Sequence, residues 1–74
     1  MVTVKLVYKD DGKPVKNKKV SIGFDGWTRG ITEDIWTDEG GEAHFDADPG
    51  DGKVYVDGST VYKGEIAGRV VVYI

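Results

Sequence analysis

The sequence predicts an all-β fold: a small antiparallel sandwich of six or seven short strands, with no helix. Three observations carry this. Apolar and polar residues alternate through several short runs, which is the two-residue period of a half-buried strand. Glycines, 11 in a chain of 74 residues, fall singly or in pairs where turns belong. No stretch keeps a 3.6-residue apolar period over the length a helix needs.

Val2, Val4, Leu6 and Tyr8 alternate with Thr3, Lys5 and Val7 as a first strand. Lys9-Asp10-Asp11-Gly12-Lys13-Pro14 ends it, because Asp-Gly followed closely by proline is strong turn chemistry. Val15 is a lone apolar anchor in an otherwise basic connection. Val20, Ile22 and Phe24 alternate with Ser21 and Gly23 as a second strand. Asp25 to Gly30 holds two glycines and is read as a loop. Ile31 to Thr37 resumes strand character, with Ile31 and Ile35 on one face and Thr32, Asp34 and Trp36 on the other. Glu33 falls on the isoleucine face and marks a bulge or an edge.

Thr37-Asp38-Glu39-Gly40-Gly41-Glu42-Ala43-His44-Phe45 is the stretch that organises the chain. Its polar, glycine-centred turn leads straight into a short strand with Ala43 and Phe45 inward. Asp46 to Gly52 is a further turn cluster, with Pro49-Gly50 suited to the centre of a type II turn. Strands follow at Lys53–Asp57, Thr60–Ile66 and Arg69–Ile74, the last apolar on both faces as a strand between neighbours is.

Size and composition bound the function. A chain of 74 residues makes one domain, residues 1–74, near the lower limit for folding unaided. With 39% hydrophobic and 31% charged residues it is globular in composition. Aromatics, 11% of residues, are expected to supply most of the core volume. The net charge of −3 argues against nucleic acid, which needs clustered Lys and Arg. Lys9, Lys13, Lys16, Lys18 and Lys19 crowd the first turn, but Asp10 and Asp11 dilute them into a solubilising rim. The lack of cysteine excludes disulfides and thiolate chemistry. No signal peptide and no membrane-inserting run is read in these residues. The chain has the look of a trimmed domain of a larger protein, with a complete small protein as the alternative.

Asp11-Gly12-Lys13-Pro14-Val15 followed by Val20-Ser21-Ile22 resembles the opening of carboxypeptidase-regulatory-like domains. Thr37-Asp38-Glu39-Gly40-Gly41-Glu42-Ala43-His44-Phe45 is similar to the T-D-x-G-x-a-x-F element of that family, with one extra glycine. Pro49-Gly50 and then Tyr55-Val56 approximate its later pG-x-Y-x-V element. Similar patterns occur in collagen-adhesin B-type and invasin-type immunoglobulin-like repeats. The resemblance implies a transthyretin-like or immunoglobulin-like Greek-key sandwich, used as a spacer or adhesive module in secreted and surface proteins. In such a sandwich Val20, Ile22 and Phe24 face Val54, Val56, Val70 and Val72 across the core. Two departures stand out. The family's small Gly-Ala pair is replaced here by Asn17-Lys18-Lys19. Enzymatic relatives of transthyretin that hydrolyse hydroxyisourate end in Tyr-Arg-Gly-Ser, whereas this chain ends Val71-Val72-Tyr73-Ile74, so that activity does not carry over.

Candidate chemistry is sparse. His44, the one histidine, lies between two inward residues and is read as a surface side chain. Asp46, Asp48 and Asp51, before Gly52, invite comparison with a calcium loop, but the third aspartate is one place late and no glutamate closes the loop. An acidic turn is the simpler reading, and no cofactor or metal is assigned. Glu33, Asp34, Asp38, Glu39 and Glu42 are the carboxylates that a glycosidase pair would draw on, yet such a pair needs a cleft and a tuned acid. Ser21 and Ser59 have no base within reach. Trp27, Trp36, Tyr55, Tyr62 and Tyr73 remain, of which Trp27, Trp36 and Tyr62 are the candidate binding residues. The alternative for the tryptophans is that they cover the ends of an undersized core.

The function this supports is a non-catalytic structural or interaction module, with a carbohydrate-binding module as the alternative and a small enzyme as the last choice. The partner is a protein or a glycan, and the state is a monomer or an edge-strand homodimer, with Glu33 as a device against pairing. Location is not written in these residues; the resemblance favours the cell surface.

Overall fold

The computed structural model describes residues 1–26 and 29–74. Among these residues there are eight strands and no helix: β1 (Val2–Val7), β2 (Lys19–Phe24), β3 (Gly30–Ile31), β4 (Ile35–Trp36), β5 (Glu42–Phe45), β6 (Gly50–Val56), β7 (Ser59–Ile66) and β8 (Arg69–Tyr73). They form a three-stranded sheet, β5-β1-β8, and a five-stranded one, β3-β2-β6-β7, with β4 also paired to β2. Buried side chains of both sheets join in a single apolar cluster.

Alternation gives the inward rows. Val2, Val4 and Leu6 of β1 and Val20, Ile22 and Phe24 of β2 are buried, while the residues between them are not. Among the described residues nine of the fifteen buried hydrophobic side chains are valines, the β-branched shape that suits a pleated surface. This corrects the expected aromatic core. Only Phe24 and Phe45 are buried aromatics among the described residues; Tyr8, Trp36 and Tyr73 stand in solvent.

The sheets differ from the sequence reading in four further respects. First, β1 and β8 run parallel, Thr3 beside Arg69 through Val7 beside Tyr73, so the fold is mixed rather than wholly antiparallel. Alternation marks which residues face inward but not the direction of a strand. Second, Val20 and Ile22 lie beside Val56 and Val54 within one sheet, and only Val70 and Val72 belong to the other. Third, Gly50, Asp51 and Gly52 are strand, not turn. A Cβ on Gly52 would collide with the Gly23 carbonyl, so the glycine serves close strand approach.

Fourth, the predicted strand from Ile31 to Thr37 divides into β3 and β4, which raises the count above six or seven. Thr32 makes the break: its N–H donates to the Ile22 carbonyl (2.8 Å), and its Oγ1 accepts from the Ile22 N–H (2.9 Å). The side-chain oxygen replaces a main-chain carbonyl in the ladder, freeing the backbone to change face. Ile31 then sits beside Gly23 on the outer face and Ile35 beside Val20 on the inner one, opposite faces rather than the same. The turn before β7 falls one residue earlier than the sequence predicts, at Asp57-Gly58, and Ser59 is already strand. Asp57 and Gly58 both have positive φ, 51° and 85°, as a two-residue hairpin of type I′ requires.

The stretch from Thr37 to Gly41 ties the two sheets together. Thr37 is buried; its Oγ1 donates to the Val15 carbonyl (2.7 Å) and accepts from the Lys18 N–H (3.0 Å). Its own N–H and carbonyl bond to Lys18 and Asn17. Four hydrogen bonds thus hold the basic connection, with Val15 beneath it, against the end of β4. Gly41 has φ +75°, and a Cβ there would lie 2.7 Å from the Leu6 carbonyl, so no other residue fits without movement.

Replacing Thr37 by valine keeps the shape and removes both side-chain hydrogen bonds, stranding a buried carbonyl and N–H. The expected loss is about 2 kcal/mol in urea unfolding, with Thr37→Ser losing less than about half of that. A Thr37→Val chain within about 0.5 kcal/mol of wild type would show that the connection is held by other contacts.

Candidate functional site

The densest group of chemically active side chains lies on the outer face of the three-stranded sheet. Pairing places His44 beside Thr3 and Thr3 beside Arg69; one row along, Glu42 lies beside Lys5 and Lys5 beside Val71. Arg69 reaches across β1 to Glu42, Nη2 to Oε2 at 3.0 Å. His44 Nδ1 is 2.8 Å from Thr3 Oγ1, and its Nε2 faces Glu42 Oε1 at 3.8 Å and Asp38 Oδ2 at 3.9 Å.

Asp38 owes its position to the turn. Its Oδ1 accepts from the N–H groups of Gly40 (2.9 Å) and Glu42 (3.0 Å). The Glu42 N–H, foremost, then the Gly40 N–H and the nearby His44 hold its carboxyl below the ordinary value of 3.8, against an opposing desolvation. Donor atoms of Asp38, Glu42 and His44 all lie within 4.8 Å of one another, a nitrogen-and-oxygen set compatible with a divalent transition metal. The two carboxylates already have protein partners, however. Asp38 caps the turn and Glu42 pairs with Arg69, so the group works as an ionic stitch joining β5 to β8 across β1.

A second surface forms on the outer face of the five-stranded sheet. Trp36 lies beside Lys19 and is 55% exposed; Ile31 lies beside Gly23 and is 70% exposed. Between them the Tyr55 ring rests against Gly23, where an added Cβ would come within 2.9 Å of Cε2. Ser21 and Gly23 leave the middle of this face shallow, with aromatic and apolar side chains around it.

The predicted binding residues do not gather into one site. Tyr62 lies beside Val54 on the inner face and packs against the core, its hydroxyl donating to the Glu65 carbonyl (2.8 Å). It faces away from Trp36. Trp27 lies outside the described residues. Asp46 and Asp48 are exposed between β5 and β6, and Asp51 falls within β6; the trio whose ligand atoms converge among the described residues is Asp38, Glu42 and His44. Of the carboxylates considered for catalysis, Glu39 pairs with Lys16 at 3.3 Å. Glu33 lines an open cleft of about 240 Å³ with Thr32, Ile35, Phe45, Asp46 and Ala47, below the range usual for small-molecule pockets.

Sequence reasoning missed two functional-looking residues. In sequence Arg69 is only the start of a strand, because its partner Glu42 lies two strands away. Arg29 lies over the Phe24 ring, 3.9 Å from its centroid, and donates to the carbonyls of Asp48 (2.6 Å) and Pro49 (3.0 Å). It clasps β3 to the β5–β6 connection. No local motif announces either.

The depressed Asp38 value has a definite sign. A carboxyl titrating lower folded than unfolded contributes stability that is present above the unfolded value and lost as pH falls through the folded one. Wild type is therefore expected to exceed Asp38→Asn in stability at pH 7, with the difference shrinking below about pH 4 and closing in stronger acid. Urea midpoints across that range check it; a difference independent of pH would assign the effect to shape rather than charge.

Comparison with protein-family models, with curated proteins and with solved structures found no match to this chain.

Proposed function

We propose that this chain is a non-catalytic interaction module of a larger protein, making contact through the outer face of its five-stranded sheet. The observation that carries this is the exposure of Trp36 and Ile31 on regular strand positions beside Tyr55, in a domain whose core is built mainly of valine. Burying a side chain of this size contributes roughly 1.5–3 kcal/mol, and a small domain has little stability to spare. Apolar side chains left out of so small a core, on one face, mark a contact surface. Its resemblance to carboxypeptidase-regulatory-like modules supports a secreted or surface host.

A protein partner fits an apolar face with Lys19 and Lys53 on the same side. The second reading is a glycan. It is favoured by the pairing of Trp36 and Tyr55 around the shallow Ser21–Gly23 strip, where a sugar ring would find aromatic faces for stacking.

The test places a photo-crosslinking amino acid at position 36, at position 31 and, as a control, at Asp10 in the first turn, in the cells that make the protein. A discrete protein adduct from 36 and 31 but not from 10 is expected; adducts from all three positions or from none would sink the proposal. Amide NMR with soluble oligosaccharides separates the second reading. Shifts confined to Ser21, Gly23, Trp36 and Tyr55, abolished by Trp36→Ala, would establish a glycan site. Trp36→Ala itself is expected to stay within about 0.5 kcal/mol of wild-type stability, because the side chain is mostly in water.

A further inference from the structure

We infer that β8 is a self-pairing edge, through which two copies of this chain join their three-stranded sheets antiparallel about a two-fold axis at Val71. This is independent of the outer-face reading above, since β8 belongs to the other sheet.

The inference starts from the backbone. Thr3 N–H donates to the Gly68 carbonyl, Ile74 N–H to the Val7 carbonyl, and Lys9 N–H to the Ile74 carbonyl. In a parallel pair one strand uses alternate residues for its bonds to the other. The main-chain groups of residues 68, 70, 72 and 74 therefore serve β1. Those of Arg69, Val71 and Tyr73 point the opposite way, and among the described residues no strand pairs with that side of β8. Their side chains share a second feature: on the outer face Val71, beside Lys5, is 42% exposed and Tyr73, beside Val7, is 58% exposed.

Other edges carry more devices against pairing than β8, whose one charge, Arg69, is drawn back to Glu42. The free edge of β7 carries Lys63 and Glu65, Gly64 at φ +150°, and an irregular register opposite. β3 and β4 are two residues each, and β5 is four with Glu42 and His44 on it. From Val70 to Ile74 the chain has no charge, proline or glycine. Natural sheets blunt an edge with such residues or cover it.

The partner is a second copy because the edge is complementary to itself. Antiparallel pairing opposes residues whose main-chain groups face each other. Opposing Val71 to Val71 of the second copy sets Arg69 against Tyr73, and Tyr73 against Arg69. Three facing pairs form, each exchanging two hydrogen bonds. On the outer face each Arg69 stem lies next to a tyrosine ring while its guanidinium stays on Glu42, and the valines meet on the axis. A shift by one residue would oppose main-chain groups that already serve β1. An interface of one short strand falls in the weak, transient size class.

The experiment is sedimentation and amide hydrogen exchange of the intact chain as its concentration is raised to millimolar. Mass is expected to climb from 8.1 kDa toward twice that, with slowed exchange appearing at Val71 and Tyr73 only as dimer forms. Amides of Val70, Val72 and Ile74 are slow throughout. Val71→Lys sets two like charges opposite each other and is expected to weaken association about tenfold or more. Circular dichroism checks that this exposed substitution folds. A constant 8.1 kDa mass at every concentration, association untouched by Val71→Lys, or concentration-dependent protection on β7 instead would each overturn the inference.

Discussion

The fold depends on a turn that is hydrogen-bonded from both sides. Between β4 and β5 the chain passes from one sheet to the other, and five residues settle how it does so. Thr37 supplies a buried hydroxyl to the basic connection after β1; Asp38 caps the turn with one carboxylate oxygen; Gly41 lets the backbone approach Leu6 more closely than any side chain permits. The Gly41 carbonyl then accepts from the Leu6 N–H, while the Leu6 carbonyl accepts from Val15. So β1, the connection beneath it and the turn share one network. Loss of the Thr37 hydroxyl strands the Val15 carbonyl and the Lys18 N–H at a buried or partly buried place, whereas the groups that Asp38 caps can turn to water.

The core beside this network is built from small aliphatic side chains. Thin strands with valines at alternate places make a shallow aliphatic core, and only two phenylalanines enter it among the described residues. Bulky side chains are displaced outward, and each outer face receives a different set. The five-stranded sheet holds Trp36, Ile31 and Tyr55; the three-stranded sheet holds charge at one end and Val71 and Tyr73 at the other. Packing inside thus produces the surfaces outside.

How much of this the sequence discloses follows from the range of each interaction. Strand positions of β1, β2, β5 and β8, the all-β class and the role of Thr37 to Phe45 are written in alternation and turn residues, both local. The split at Thr32 is not, because it depends on a side chain replacing a carbonyl in a ladder with a strand ten residues back. Gly50 and Gly52 mimic turn residues and serve close packing instead. The parallel course of β8 and the Arg69–Glu42 pair rest on contacts between distant segments, which no spacing records. The candidate residues divide likewise: exposure of Trp36 follows from its place opposite Lys19, and Tyr62 faces inward because its partner is Val54. Pairing register, not residue type, decides which aromatic meets solvent.

Register also bears on how readily the edge of β8 can be used. A strand that must be ordered on contact gives up conformational freedom of roughly 1–2 kcal/mol for each residue fixed. β8 has already been fixed. Its even-numbered residues are bound to β1, Arg69 is held by Glu42 at its start, and Ile74 bonds through both its N–H and its carbonyl at its end. The odd-numbered groups are thereby presented in an extended line at strand spacing, with their orientation set by bonds they do not make themselves. Preorganisation of that kind lowers the cost of association without adding a contact. The ionic stitch across β1 therefore has a consequence beyond its small direct effect on stability: it keeps one end of a lightly guarded edge straight.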